Sequence, residues 1–215
     1  MVFDRKKYKT DAKLQLKGNV GKFLPVVLIT FILIIILNFI ELIAKDVNYI
    51  YLLTFIVIVM ISSILKIANI YYFLQVVKNN NIKFDNFLDG MNLWLKGILS
   101  TLWQSLWITI WSFFFIIPGI IKSIAYSQMD LIIADNPNIS VPKAMKLSMA
   151  MTKGYKSELF ILSLSFLGWF ILGTLTCGIA FVWIYPYIQL TYTNTYFALK
   201  RNALTTGILQ THDFN

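Results

Sequence analysis

Histidine and cysteine are almost missing from this 215-residue chain, with one of each: Cys177 in an apolar run and His212 in the polar tail. A lone cysteine forms no intramolecular disulfide. No group of His and Cys has the spacing of a metal site, so no metal and no cofactor is expected. With its one histidine in the tail, Ser163, Ser165 and the other serines have no imidazole base in the apolar part of the chain, which excludes a histidine-based triad there. Neither a P-loop nor a Gly-rich dinucleotide fingerprint occurs. Asp130 and Asp135 are near in sequence, but Asp135 begins an Asp-Asn-Pro turn and is read as a cap for the next helix. Nothing here carries recognisable catalysis, and the expectation is a protein that is not an enzyme. Charge is also scarce, at 13% of residues, and carboxylates are scarcer than cations, 10 against 19.

What the chain has in abundance is apolar side chain. It is 58% hydrophobic and 16% aromatic, with a mean hydropathy of +0.68. A water-soluble domain of this size cannot hide so much apolar surface, and several runs approach the about 20 residues needed to cross a bilayer as helix. The runs are continuous, not alternating as barrel strands would be. The fold class is therefore all-α: a polytopic membrane protein of six transmembrane helices, with amphipathic interfacial helices beside them. The expected spans are residues 23–43, 49–77, 94–117, 120–134, 159–176 and 179–199, with kinks at Pro118-Gly119 and at Pro186. Glu41, Lys45 and Asp46 mark the turn after the first span.

Residues 1–22 form a basic segment with Tyr8, Ala12, Leu16 and Val20 on one face, read either as an interfacial helix or as a solvated tail. Residues 140–156 are amphipathic, with Ser140 placed to cap and Pro142 in the first turn, and are read as a helix on the membrane surface. Lys143, Lys146 and Lys153 on its polar face are candidate contacts for lipid headgroups. Residues 202–215 read as a polar tail. Sixteen of the nineteen Lys and Arg residues fall on one side of a six-span arrangement, so the positive-inside rule puts both termini in the cytoplasm. The net charge of +9 is spread around the apolar runs rather than gathered in one patch, a pattern of topology and headgroup contact and not of nucleic-acid binding.

Ionisable groups inside apolar runs are the functional suspects, because they are costly in hydrocarbon. Lys66 has Ser62 and Asn69 at helical spacing beside it. Lys122, Tyr126 and Asp130 recur every four residues, with Ser123 and Ser127 alongside, and Tyr185, Gln189, Thr193 and Tyr196 share a face of the last span. The candidate intramembrane site is Lys66, Asn69, Lys122, Tyr126, Asp130 and Gln189. Two readings stand. In one, the stripes face a polar cavity, Lys66 and Asp130 form a buried pair, and the proline bends expose carbonyls to a ligand, as in transporters. In the other, the stripes glue helices together and Lys122 snorkels to the outer interface near Glu41.

Pro118-Gly119-Ile120-Ile121-Lys122, Tyr126-Ser127, Asp135-Asn136-Pro137, Gly154-Tyr155-Lys156, Ser165-Phe166-Leu167-Gly168-Trp169 and Pro186-Tyr187 come one after another in an order that resembles a bacterial integral-membrane family, domain of unknown function 975, found mainly in Gram-positive Firmicutes. Ala12-Lys13 and Leu16-Lys17-Gly18-Asn19 fit the same pattern, and Val20 departs from it where an aromatic is expected. The resemblance implies a six-helix membrane domain, similar in style to those attached to some glycerophosphodiester phosphodiesterases, without a catalytic domain and without an established activity. The expected function is a non-enzymatic protein of the bacterial cytoplasmic membrane. It would bind anionic lipid or a membrane partner, or a second copy of itself, and so modulate envelope function, secretion or resistance to membrane-active peptides. The alternative is a small-solute, peptide or lipid transporter with its site around Lys66, Tyr126 and Asp130.

Overall fold

Asp4 begins the first helix: its carboxylate accepts a hydrogen bond from the Lys7 backbone N–H at 3.0 Å, satisfying one of the donors that a helix start leaves open. Helix α1 (Arg5–Leu16) then turns Tyr8 and Ala12 inward against the last helix, both buried. The computed structural model describes residues 3–44 and 48–214, and the protein is all-helical there. After α1 come α2 (Val20–Ala44), α3 (Asn48–Asn79), the short α4 (Asp85–Met91), α5 (Trp94–Phe114), α6 (Ile116–Tyr126) and α7 (Met129–Asp135). They are succeeded by α8 (Val141–Thr152), α9 (Lys156–Leu164), α10 (Leu167–Leu175), α11 (Phe181–Thr205) and a 3-10 turn at Thr211–Phe214. The turn expected around Lys45 and Asp46 lies outside the described residues.

Four helical stretches are long and apolar enough to cross a membrane: Val20–Ile43, Tyr49–Asn79, Ile116–Asp135 and Lys156–Leu175. Helices α5 and α11 fall short on apolar content because α5 spends positions on four tryptophans, Lys96 and Gln104, and α11 on tyrosine, threonine, asparagine and glutamine. The large exposed apolar side chains gather on α2 beyond Leu28, on α3 from Tyr49 to Met60, on α5, on α6 and on α9–α10. Elsewhere the helices cover one another. In α3 the character changes along one helix: Leu53 and Phe55 are exposed, whereas Ile67, Tyr72, Phe73 and Leu74 are fully buried. Helix α7 is buried from Met129 through Ala134, as expected of a helix apolar on nearly every face. Gly90 lets α4 lie directly on α3, since a Cβ there would stand 2.8 Å from the Ala68 Cα.

Several sequence expectations are corrected. The reversal expected at Pro118-Gly119 falls at Phe115, the one extended residue (φ −158°, ψ 140°) between α5 and α6. Pro118 sits in the first turn of α6, where its missing N–H has no helical partner to lose. Gly119 allows that turn to close on the Ser112 side chain. Helix α11 continues through Pro186 without a break: proline's φ suits a helix, and its missing N–H removes one donor from the ladder. The expected fourth and fifth spans are each two helices, α6–α7 and α9–α10, interrupted at Ser127-Gln128 and Ser165-Phe166. The helix expected on the membrane surface, α8, buries Val141, Ala144, Met145, Leu147 and Met151 in the protein's own core, against α7, α6, α11 and α5. The C-terminal segment is not simply a polar tail either: it folds back to bury Leu209 and Phe214.

Candidate functional site

Lys66 stands where the exposed face of α3 gives way to its buried half, and its Nζ lies 2.6 Å from Asp130 Oδ2 on α7. The pair is uneven. The lysine side chain is 43% exposed and the aspartate 9%. Asp130 Oδ1 is buried and has no hydrogen-bond partner among the described residues. A carboxylate so placed depends on the Lys66 ammonium for its compensation, and its second oxygen keeps unspent acceptor capacity.

The pair forms part of the wall of a cavity of about 340 Å³ enclosed by α3, α5, α6, α7, α9 and α11. Gln104, Ser123, Ser127, Ser163, Gln189 and Tyr192 bring polar groups to it, and Ile70, Ile124, Leu131 and Leu159 bring apolar ones. Ser163 Oγ and the Tyr192 hydroxyl lie 2.9 Å apart, which fixes α9 against α11 on this wall. One of the two helix interruptions abuts the cavity, since Ser127 lies in the gap between α6 and α7; the gap between α9 and α10, at Ser165-Phe166, begins two residues past the lining Ser163 and is not on the wall. The arrangement offers an ammonium, a carboxylate oxygen, hydroxyls and amides within an apolar rim. It suits a polar or charged group attached to an apolar body.

The six candidate residues separate. Lys66, Asp130 and Gln189 line the cavity. Asn69 is buried elsewhere, donating to the Leu65 carbonyl at 2.8 Å and to Thr30 Oγ1 at 3.1 Å, so it ties α3 to α2. Lys122 does not reach toward Glu41; its Nζ sits 4.5 Å above the Trp111 ring. Tyr126 is buried in the main core. The stripe of residues 122, 126 and 130 is split because the helix stops at Tyr126 and restarts at Met129. The stripe on α11 is split as well: Tyr185 meets the rings of Phe31 and Phe73, Gln189 reaches the cavity, and Tyr196 bonds Asp135. Among the headgroup candidates, Lys146 and Lys153 are exposed and Lys143 is half-buried.

A second charged centre has no counterpart among the sequence expectations. Asp135, with its side chain 3% exposed, accepts from Lys78 Nζ at 2.6 Å on one oxygen. Its other oxygen accepts from Lys200 Nζ at 2.5 Å and from the Tyr196 hydroxyl at 3.0 Å. It joins α3, α7 and α11 instead of capping the next helix. Nearby, Lys96 Nζ donates to the backbone carbonyls of Pro137 and Ile139, the latter at 2.8 Å, so the Asp-Asn-Pro turn is held from α5. On α1, Lys9 donates to Ser165 Oγ at 2.6 Å and lies over the Phe166 ring. Burial, ahead of repulsion from Lys13 and Arg5, holds the Lys9 amine below the ordinary lysine value.

Residues 107–203 match the family model described as a protein of unknown function (DUF975), which bears out over that stretch the resemblance drawn from Pro118 onward. The matched stretch runs from within α5 to near the end of α11 and contains Asp130, Ser163, Gln189 and Asp135, while Lys66 and Lys78 precede it. No curated protein and no solved structure matches the chain.

Proposed function

We propose, from the family match and the geometry around Lys66, that this is a non-enzymatic multi-pass protein of the bacterial cytoplasmic membrane that binds lipid, with the ligand's polar head seated at Lys66–Asp130. The observation that carries the reading is an ion pair with a spare carboxylate oxygen on the wall of a polar cavity within an otherwise apolar helical body. Six crossings are assigned to α2, α3, α5, α6–α7, α9–α10 and α11, with both termini cytoplasmic. Two pairs support the alternation: Lys66 meets Asp130 and, further along both elements, Lys78 meets Asp135. Helix α3 and the α6–α7 unit therefore run the same way, as second and fourth crossings must.

The test is native mass spectrometry of the protein released from its own membranes, comparing the wild type with Ser127→Phe and Ser163→Phe, which fill the cavity from two sides. The reading predicts a bound lipid on the wild type that both variants lose. A lipid retained at full occupancy in both variants refutes it.

A second reading, transport of an amphiphile or small solute through the same cavity, is favoured by the interruption between α6 and α7 at Ser127 on its wall, because broken helices are how many transporters expose backbone at a site. Transport requires Ser127→Cys to be labelled from both sides of the membrane, whereas binding alone requires labelling from one. The charged face of α8 offers a third comparison. If headgroup contact there carried the function, neutralising Lys143, Lys146 and Lys153 together would impair it and Asp130→Asn would not; the cavity reading predicts the reverse.

A further inference from the structure

A second cavity, about 690 Å³, does not contain Lys66 or Asp130. It opens between α1, the ends of α3 and α7, and the second half of α11, and its wall carries Lys7, Lys78, Lys200 and Arg201 against only Asp11 and Asp135. Asp135 is buried and already holds two of the cations, one on each oxygen. Its charge is thus spent on organising Lys78 and Lys200, with Tyr196 fixing the second oxygen. Neither Lys7 nor Arg201 has a carboxylate within ion-pair distance among the described residues, and both are exposed at the cavity. Asp11 stands one helical turn from Lys7 and leaves the site with four cations and two carboxylates. Val77, Phe197 and Leu204 give the remaining wall an apolar surface.

We propose that this cavity is a binding site for a phosphate-bearing molecule. The two excess positive charges match a dianionic phosphate. The buried carboxylate pre-positions two ammonium groups at no cost in ordering upon binding, and the planar Arg201 guanidinium supplies a paired donor for phosphate oxygens. The phosphate belongs either to a free solute or to a lipid headgroup, and the shared chemistry is what the site recognises. The proposal is independent of the lipid reading of the Lys66 cavity, which lies on other walls.

The experiment is a titration of the full-length protein in phosphatidylcholine nanodiscs with inorganic pyrophosphate, at constant ionic strength set by sodium chloride. Heat of binding and melting temperature are the readouts. Saturable binding with a raised melting temperature is expected, weakened about tenfold by Arg201→Gln and similarly by Lys7→Gln, each loss corresponding to one charge-assisted contact. Neither residue holds an ion pair among the described residues, so both variants should melt as the wild type does in chloride alone. Asp130→Asn and Lys146→Gln should bind pyrophosphate normally, which separates this site from the Lys66 cavity and from general surface charge. Repeating the titration in nanodiscs rich in phosphatidylglycerol identifies the source. Loss of pyrophosphate binding there assigns the site to a lipid headgroup, and unchanged binding assigns it to a free phosphate compound. Absence of saturable binding in phosphatidylcholine, or equal binding by a Lys7→Gln/Arg201→Gln double variant, overturns the proposal.

Discussion

Cutting the Lys66–Asp130 pair from its two ends should give unequal costs, because the two side chains are unequally buried. In Lys66→Met the carboxylate of Asp130, 9% exposed, loses its ion-pair partner while its other oxygen already lacks a donor among the described residues. Stranding a buried charge costs on the order of 3–5 kcal/mol, and the 43% exposure of Lys66 discounts that to about 2–3 kcal/mol. In Asp130→Asn the shape is kept, and the orphaned ammonium turns outward along its flexible stem, so the cost is about 1 kcal/mol. Removing both charges in Lys66→Met/Asp130→Asn should restore stability to within about 1 kcal/mol of wild type, a coupling of about 2–3 kcal/mol between the two sites. Reversible unfolding in detergent micelles, tracked by tryptophan fluorescence, measures all four proteins. Equal costs for the two single variants, or a dearer Asp130→Asn, would refute the argument from asymmetric burial.

Two other contacts give predictions of the same kind. Asp135→Asn should cost more than Asp130→Asn, about 2–4 kcal/mol, because it leaves Lys78 and Lys200 converging on a neutral amide beside Tyr196; a melting comparison of the two variants decides the order. Gly90→Ala should destabilise by about 1–3 kcal/mol, since the new methyl meets the Ala68 backbone and not the end of a flexible side chain, and Gly168→Ala, where a Cβ meets nothing within 4 Å, is the control. A Gly90→Ala protein that melts with the control would show that α4 is free to lift from α3.

The helical class is legible from continuous apolar runs, and Lys66 and Asp130 stand out because each interrupts such a run. That they meet is a matter of packing between α3 and α7, elements separated by three intervening helices. Asp135 is hidden for a related reason. Its partners lie 57 and 65 residues away, and in sequence Lys78 and Lys200 serve equally well as topology charges at span ends. Periodicity identifies the apolar faces of α1 and α8 correctly but not their cover. A stripe such as Tyr8 and Ala12, or Ala144 and Met145, reads alike whether lipid or protein lies over it, and here protein does. The prolines resemble breaks in sequence and are none in the fold: Pro118 occupies a first turn that has no use for its N–H, and Pro186 removes one donor from α11. The helix interruptions at Ser127-Gln128, on the cavity wall, and at Ser165-Phe166 carry neither proline nor glycine and so give no local signal.

The most direct test of a polar, ligand-accessible cavity at Lys66–Asp130 is thiol labelling in intact cells. From a Cys177→Ser background, single cysteines at Ser127, Ser163 and Gln189 are exposed to a charged reagent that requires water, with Ile133→Cys, in the closed core, as the reference. The account predicts reaction at the cavity positions, slowed by added lipid ligand, and silence at residue 133. If none of the three cavity positions reacts while the proteins remain folded, there is no accessible polar cavity and Lys66 and Asp130 only hold helices together.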